Sequence, residues 1–147
     1  MTDKHRRFME IARSMANQLS KDRTRKVGAI FIGEQNQPLT WGYNGFPRGA
    51  NDDVEERHQH PLKLLWSEHA ERNAIYNATR SGVSLLNSRV YITTLPPCVD
   101  CARALIQVGV KEVYIEADSL SSKDWTKDWD VVQEMFKECG VTVTVLP

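Results

Sequence analysis

Apolar positions along the chain switch between two periods, and the switches outline its elements. Phe8, Ile11, Ala12, Met15 and Leu19 recur at helical spacing, which predicts one apolar stripe on a helix over residues 3–19. Residues 27–33 (VGAIFIG) are short, β-branched and apolar, the pattern of a buried strand. The turn chemistry of GEQNQP separates it from a second strand over 39–43, expected to pair antiparallel with the first. Residues 44–68 are rich in Gly, Pro, Asn, Asp and His and follow no period; a structureless stretch of that length is often functional. A helix is expected over 69–81, ended by Gly82, and a strand over 89–94. Pro96-Pro97 lead into a helix over 98–108 closed by Gly109, followed by a strand over 112–116 and a polar loop over 118–130. Val132, Met135, Phe136 and Cys139 form the stripe of a last helix ended by Gly140. Val141, Val143 and Val145 then alternate with Thr142 and Thr144 as a half-buried strand.

The resulting order, α-β-β-α-β-α-β-α-β, predicts an α/β protein with a five-stranded mixed sheet between helical layers. Strands separated by helices are normally parallel, joined by right-handed crossovers. No linker or repeat interrupts the pattern, so residues 1–147 are expected to form a single domain of ordinary size.

Composition narrows the function classes. The 147 residues are 41% hydrophobic and 26% charged, with 19 basic and 19 acidic residues. No apolar run approaches the ~20 residues of a membrane helix, and the first fifteen residues lack the apolar core of a secretory signal. A cytoplasmic setting is expected, a host cytoplasm if the source is viral. Zero net charge argues against a dedicated duplex-binding protein. The balance is uneven along the chain: residues 1–26 carry eight basic against three acidic residues, an excess of five that the remainder offsets. That segment reads either as a solvated helix face or as a site for an anion. Three cysteines cannot make a disulfide framework without leaving one over.

The cysteines find a use beside a histidine. His69-Ala70-Glu71 and Pro97-Cys98-Val99-Asp100-Cys101 each open an expected helix. Two cysteines three apart at a helix start project onto one face, and thiolate with imidazole suits zinc. His69, Cys98 and Cys101 would leave the fourth position open, as catalytic zinc sites do. Glu71, two residues beyond His69, would then reach the reacting water without binding the ion, where a general acid/base belongs. A structural zinc site would instead need a fourth protein ligand, for which His58, His60 and Cys139 are the candidates. Cys139 is expected in the core, since it lies in an apolar stripe, and His58 and His60 are expected to be solvated.

HAE followed by PCxxC resembles the signature of the zinc-dependent nucleoside and nucleotide deaminases. Ser20-Lys21-Asp22 with Lys26–Ala29, Gly42–Pro47 (GYNGFP), His69–Ile75 (HAERNAI) and Ile106–Val113 (IQVGVKEV) resemble the deoxycytidylate (dCMP) deaminases in particular, over about residues 18–116. The resemblance implies a three-layer α/β/α fold with strands four and five parallel, and hydrolytic deamination of dCMP to dUMP, the precursor for thymidylate synthesis. It also implies one zinc ion per chain on His69, Cys98 and Cys101, proton transfer by Glu71, and substrate contacts from Asn44 and Ala70. Lys26 and Arg25 are the candidates for the phosphate, since their segment leads into the first strand near the GYNG loop. By the same resemblance Gly42, Tyr43, Asn44 and Gly45 would border a regulatory site for dCTP or dTTP with Mg²⁺, in a hexamer. Taken without the family, Asn44 reads as a turn residue beside Gly45. A deaminase that also accepts dCTP and a tRNA or nucleic-acid base deaminase share the two motifs; the charge balance and the GYNGFP loop favour a small nucleotide over nucleic acid. Trp66, Trp125 and Trp129 lie in segments that could cover the site, although core packing accounts for each equally simply.

Overall fold

A computed structural model describes residues 3–147. Helices are α1 (Asp3–Leu19), α2 (Lys63–Trp66), α3 (Ala70–Ser81), α4 (Val99–Gln107) and α5 (Trp129–Glu138). Strands are β1 (Gly28–Ile32), β2 (Pro38–Tyr43), β3 (Arg89–Ile92), β4 (Glu112–Glu116) and β5 (Thr142–Leu146). The sheet runs β2-β1-β3-β4-β5; β1 is antiparallel to both neighbours, whereas β3, β4 and β5 are mutually parallel. The expected mixed sheet with parallel β4 and β5 is thus present.

Alternation along the central strands divides the core in two. Ile30, Ile32, Tyr91 and Tyr114 point to one face, where Met9 and Ala12 of α1 cover them. Ala29, Phe31, Val90, Ile92, Val113 and Ile115 point to the other, beneath Ala74 and Ala78 of α3, Leu105 of α4 and Phe136 of α5. Because β1 is covered on both faces, all five of its residues are buried, and its sequence has no polar position.

The buried face of α1 differs from the expected stripe. Met9, Ala12, Met15 and Ala16 are buried, while Ile11 and Leu19 are 45% and 48% exposed. The cause is the close approach of α1 to β1: a Cβ on Gly28 would lie 2.3 Å from the carbonyl oxygen of Ala12 and 3.0 Å from the Cβ of Ala16. Small residues must face the sheet there, so size rather than hydrophobicity orients the helix. Cys139 is also corrected: it is exposed, not in the core. Val132 and Phe136 take the buried side of α5, and the helix ends at Glu138, turning away through Gly140 at φ 77°.

The stretch 44–68 is not structureless. It contains a 3₁₀ turn at Glu55–His58, the short α2, and an isolated bridge between Gly45 and Glu68 that closes its ends together. Another 3₁₀ turn, Ala117–Ser121, follows β4. Among the described residues no helix is long and apolar enough to cross a membrane.

Candidate active site

The N-termini of α3 and α4 meet. His69 caps α3 and Cys98 caps α4, both with extended backbone. His69 Nδ1 lies 3.5 Å from Cys98 Sγ and 3.5 Å from Cys101 Sγ. The three donor atoms lie within 4.8 Å of one another. A tetrahedral ion with metal–sulfur near ~2.3 Å and metal–nitrogen near ~2.05 Å sets nitrogen and sulfur about 3.6 Å apart. The donor set therefore fits zinc in both chemistry and spacing.

Local geometry explains how motifs 29 residues apart in sequence converge. Cys98 Sγ accepts the Cys101 backbone N–H at 3.5 Å, so the helix start itself orients the first thiol. Ahead of it, Thr94 adopts φ 70°, a conformation that costs a β-branched residue ~1–3 kcal/mol. Its hydroxyl donates to the Lys26 carbonyl at 3.0 Å, and the bend turns Leu95 and Pro96 toward a cavity. Just ahead of α3, Glu68 accepts the His69 N–H at 2.9 Å and Arg72 Nε–H at 2.8 Å. Arg72 also lies 3.6 Å from Asp100, between the two cysteines, and so links the two motifs.

The ionisable groups bear on one another closely. Hydrogen bonding from the Cys101 thiol, and then from His69, holds the Cys98 thiol far below its ordinary pKa. The hydrogen bond to Cys98, and then burial, push Cys101 up. Hydrogen bonding to Cys98 raises His69. Burial raises Glu71 to about 6, near the range in which a carboxyl can both take and give a proton at neutral pH.

A cavity of about 460 Å³ opens beside this cluster. Its lining includes His69, Ala70, Glu71, Leu95, Pro96 and Trp125 together with Asp22, Thr24, Arg25, Asn44, His60 and Lys63. Trp125 stands 5.6 Å from the His69 ring and donates its Nε1–H to the Pro96 carbonyl at 2.9 Å. Asn44 Oδ1 accepts from Val27 N at 2.9 Å and Ser20 Oγ at 2.8 Å, and Nδ2 donates to the Arg25 carbonyl at 2.8 Å. Its amide thus staples the end of β2 to the approach of β1 and keeps one N–H for the cavity.

The structure separates other candidates. Lys26 does not line the cavity; its ammonium lies 3.4 Å from the Asn17 carbonyl. Arg25 does line it. Half of the eight basic residues in the first 26 are engaged: Arg7, Arg13, Lys21 and Arg23 each pair with a carboxylate. Gly42 lies under α3, whereas Tyr43, Asn44 and Gly45 border a second cavity of about 240 Å³ with Lys21, Arg48 and Asp52. His58 packs on Phe46, 4.8 Å between ring centroids, while His60 reaches the first cavity. Trp66 lies under the Arg57 guanidinium, 3.8 Å from it, and Trp129 packs on the core. Asp22 and Lys63 went unrecognised as site residues in the sequence. The pattern Asp22-x-Thr24 is an Asx-turn signal that marks a shaped loop, but Lys63 lies 41 residues further on with no local sign of its partner.

Comparison with known proteins gives the same answer as the geometry. Residues 2–117 match the cytidine and deoxycytidylate deaminase zinc-binding region. A probable deoxycytidylate deaminase of Drosophila melanogaster is 41% identical over 114 residues, covering 71% of this chain and 55% of that protein. Human deoxycytidylate deaminase is 34% identical over 140 residues, covering 92% and 75% respectively. The matched part of the chain thus spans little more than half of the fly protein. The crystal structure of a dCMP deaminase from the cyanophage S-TIM5, in complex with dCMP and dUMP, superposes with a TM-score of 0.75 at 26% identity over 99% of both chains. With the paired motifs and three converging ligands, these matches show that the chain belongs to the cytidine and deoxycytidylate deaminase family.

Proposed function

We propose that the protein hydrolyses the amine of dCMP, releasing dUMP and ammonia, and that the dUMP supplies thymidylate synthesis. The carrying observation is one cavity lined by His69 and Glu71 and also by Arg25 and Lys63, with Cys98 and Cys101 converging on the same histidine. Zinc held by the three ligands supplies a Lewis acid that lowers the pKa of water toward ~7. Glu71 takes the proton from the water that adds at C4 of the ring and delivers it to N3. It then takes the second proton from the new C4 hydroxyl and passes it to the exocyclic nitrogen, so the C4 carbonyl forms, the C4–N bond breaks and ammonia leaves. Burial of Glu71 suits both strokes, since it favours the neutral form without locking it. Trp125 walls off the base, and the first-turn N–H groups of α3, from Ala70 onward, lack intrahelical acceptors and suit polar edges of the substrate. Asn44 faces the sugar with its remaining N–H, and Arg25 with Lys63 binds the phosphate; Lys26 gives way to Lys63 in that role.

The same proposal extends to regulation. The second cavity, with Lys21 and Arg48 beside Tyr43, Asn44 and Gly45, suits a triphosphate such as dCTP or dTTP carrying Mg²⁺, in a hexameric assembly. Ammonia release from dCMP, dCTP, deoxycytidine and tRNA in parallel, with bound zinc measured on the same sample, tests the activity. Release from dCMP above the other three is expected; release from tRNA alone defeats it. Velocity curves with and without either triphosphate, together with the sedimented mass, test the regulation.

A further inference from the structure

The end of the cavity assigned to the phosphate holds a carboxylate beside its two cations. The Asp22 side chain is 5% exposed and that of Lys63 14%. Asp22 Oδ1 accepts the Thr24 N–H at 2.9 Å, the Arg25 N–H at 3.0 Å and the Thr24 hydroxyl at 3.1 Å. Lys63 Nζ lies 3.1 Å from Oδ1 and 2.9 Å from Oδ2, and donates to Thr24 Oγ1 at 3.0 Å. An ammonium has three donors. Here they face three acceptor atoms, two on the carboxylate and one on Thr24, so Asp22 holds the ammonium in place and offsets its charge. Arg25 forms no ion pair among the described residues.

The turn at residues 22–25 requires only an acceptor at Asp22, and an asparagine caps such a turn as well as an aspartate. A buried carboxylate is costlier to desolvate than an amide. What it adds beyond the cap is charge. It reduces two cations, Arg25 and Lys63, to a formal excess of one. The remaining acidic residues of the wall, Glu71 and Asp124, only make the cavity more negative. A nucleoside monophosphate brings close to two negative charges at neutral pH, and each further phosphoryl group adds roughly one more.

We propose that Asp22 is a specificity-determining residue: by neutralising half of the cationic charge it restricts this end of the cavity to a single phosphoryl group and disfavours di- and triphosphates. The inference rests on reading the cavity as a dCMP site. The test is kcat/KM for deoxycytidine, dCMP, dCDP and dCTP, on the zinc-loaded wild type and on Asp22→Asn, at about pH 8, above the second phosphate pKa near ~6. Normalised to deoxycytidine, the ratio of variant to wild type rises with substrate charge, by about 2–3-fold for dCMP and about 5–10-fold for dCTP. About 0.5 M KCl flattens the gradient, because it is electrostatic. Lys63→Gln gives the opposite gradient, so the proposal does not depend on how well one variant folds. A ratio equal across the four substrates, or falling with charge, overturns the proposal and leaves Asp22 as a turn cap. If the wild type turns over dCMP and the series is flat, only the role of Asp22 fails. If the wild type releases ammonia from none of the four, the reading of the cavity falls and takes this inference with it.

Discussion

A Cβ on Gly42 would lie 2.5 Å from the carbonyl oxygen of Ala70. The same atom would meet Ala74 N at 2.3 Å, so β2 presses against the backbone of the first turn of α3. That turn carries Glu71 and follows directly on His69. Gly42→Ala is therefore expected to lower stability by about 1–3 kcal/mol and to weaken zinc binding together with activity. Denaturant unfolding and metal content measured on one preparation check this. Wild-type metal content with lost activity would point instead to a role for Gly42 in the site itself.

Glu71 lines the cavity but is not one of the three converging donors. Glu71→Gln is expected to keep zinc at the wild-type level and lose about 10²–10⁴-fold in kcat, the range for removing a positioned acid/base. Turnover near the wild-type rate would remove Glu71 from proton transfer.

Arg72 ties Glu68, which holds the His69 N–H, to Asp100, which lies between the two cysteines. Burial works against the charge of its guanidinium as the largest single effect, and the pull of the cysteine pair and of Glu68 outweighs it, so its pKa is raised. Arg72→Gln should weaken zinc about 10–100-fold, the cost of losing a group that orients the ligands. Competition with a zinc chelator reads this without relying on activity.

Trp125 is held at the site by the bond from Nε1 to Pro96 and by its ring beside His69. Trp125→Phe keeps an aromatic wall but drops the bond. It is expected to raise KM for dCMP several-fold, with a smaller effect on kcat. An equal fall in kcat and kcat/KM would mean that the ring acts in the transition state.

His5 anchors the start of α1 to the sheet. Its Nδ1 accepts from the Tyr91 hydroxyl at 2.6 Å, and its ring stacks on Tyr114 at 4.4 Å. Burial, then the charges of Lys4 and Arg89, hold its pKa below the ordinary 6.5, against the opposing pull of Glu112. The folded state thus favours neutral His5. Its contribution is fully present above the ordinary value and is lost as pH falls through the depressed one. Relative to His5→Gln, the wild type should lose more thermal stability between about pH 7.5 and about pH 5. Parallel melting curves for the two proteins across that range would refute the linkage.

Elements and ligands were legible in the sequence to different depths. Residues 28–32 announce a strand covered on both faces because every position is apolar or glycine. The three candidate metal donors announce themselves because each motif opens a helix, and helix starts are marked locally by proline, spacing and polarity. The buried face of α1 was not legible, since Gly28 selects Ala12 and Ala16 from another element. Nor was the exposure of Cys139, because an apolar stripe does not mark the residue at which a helix leaves the core.

By itself the sequence determined the order of elements, the donor chemistry of His69, Cys98 and Cys101, and the placing of Glu71 two residues beyond His69. These are local properties: periodicity, helix starts and residue type belong to a few neighbouring positions. Only the tertiary structure decided which cations face the cavity. It turned Lys26 away, kept Arg25, and brought Lys63 against Asp22 from 41 residues distant. A pairing of that kind depends on how the 44–68 stretch folds back over the sheet, and no local pattern encodes it.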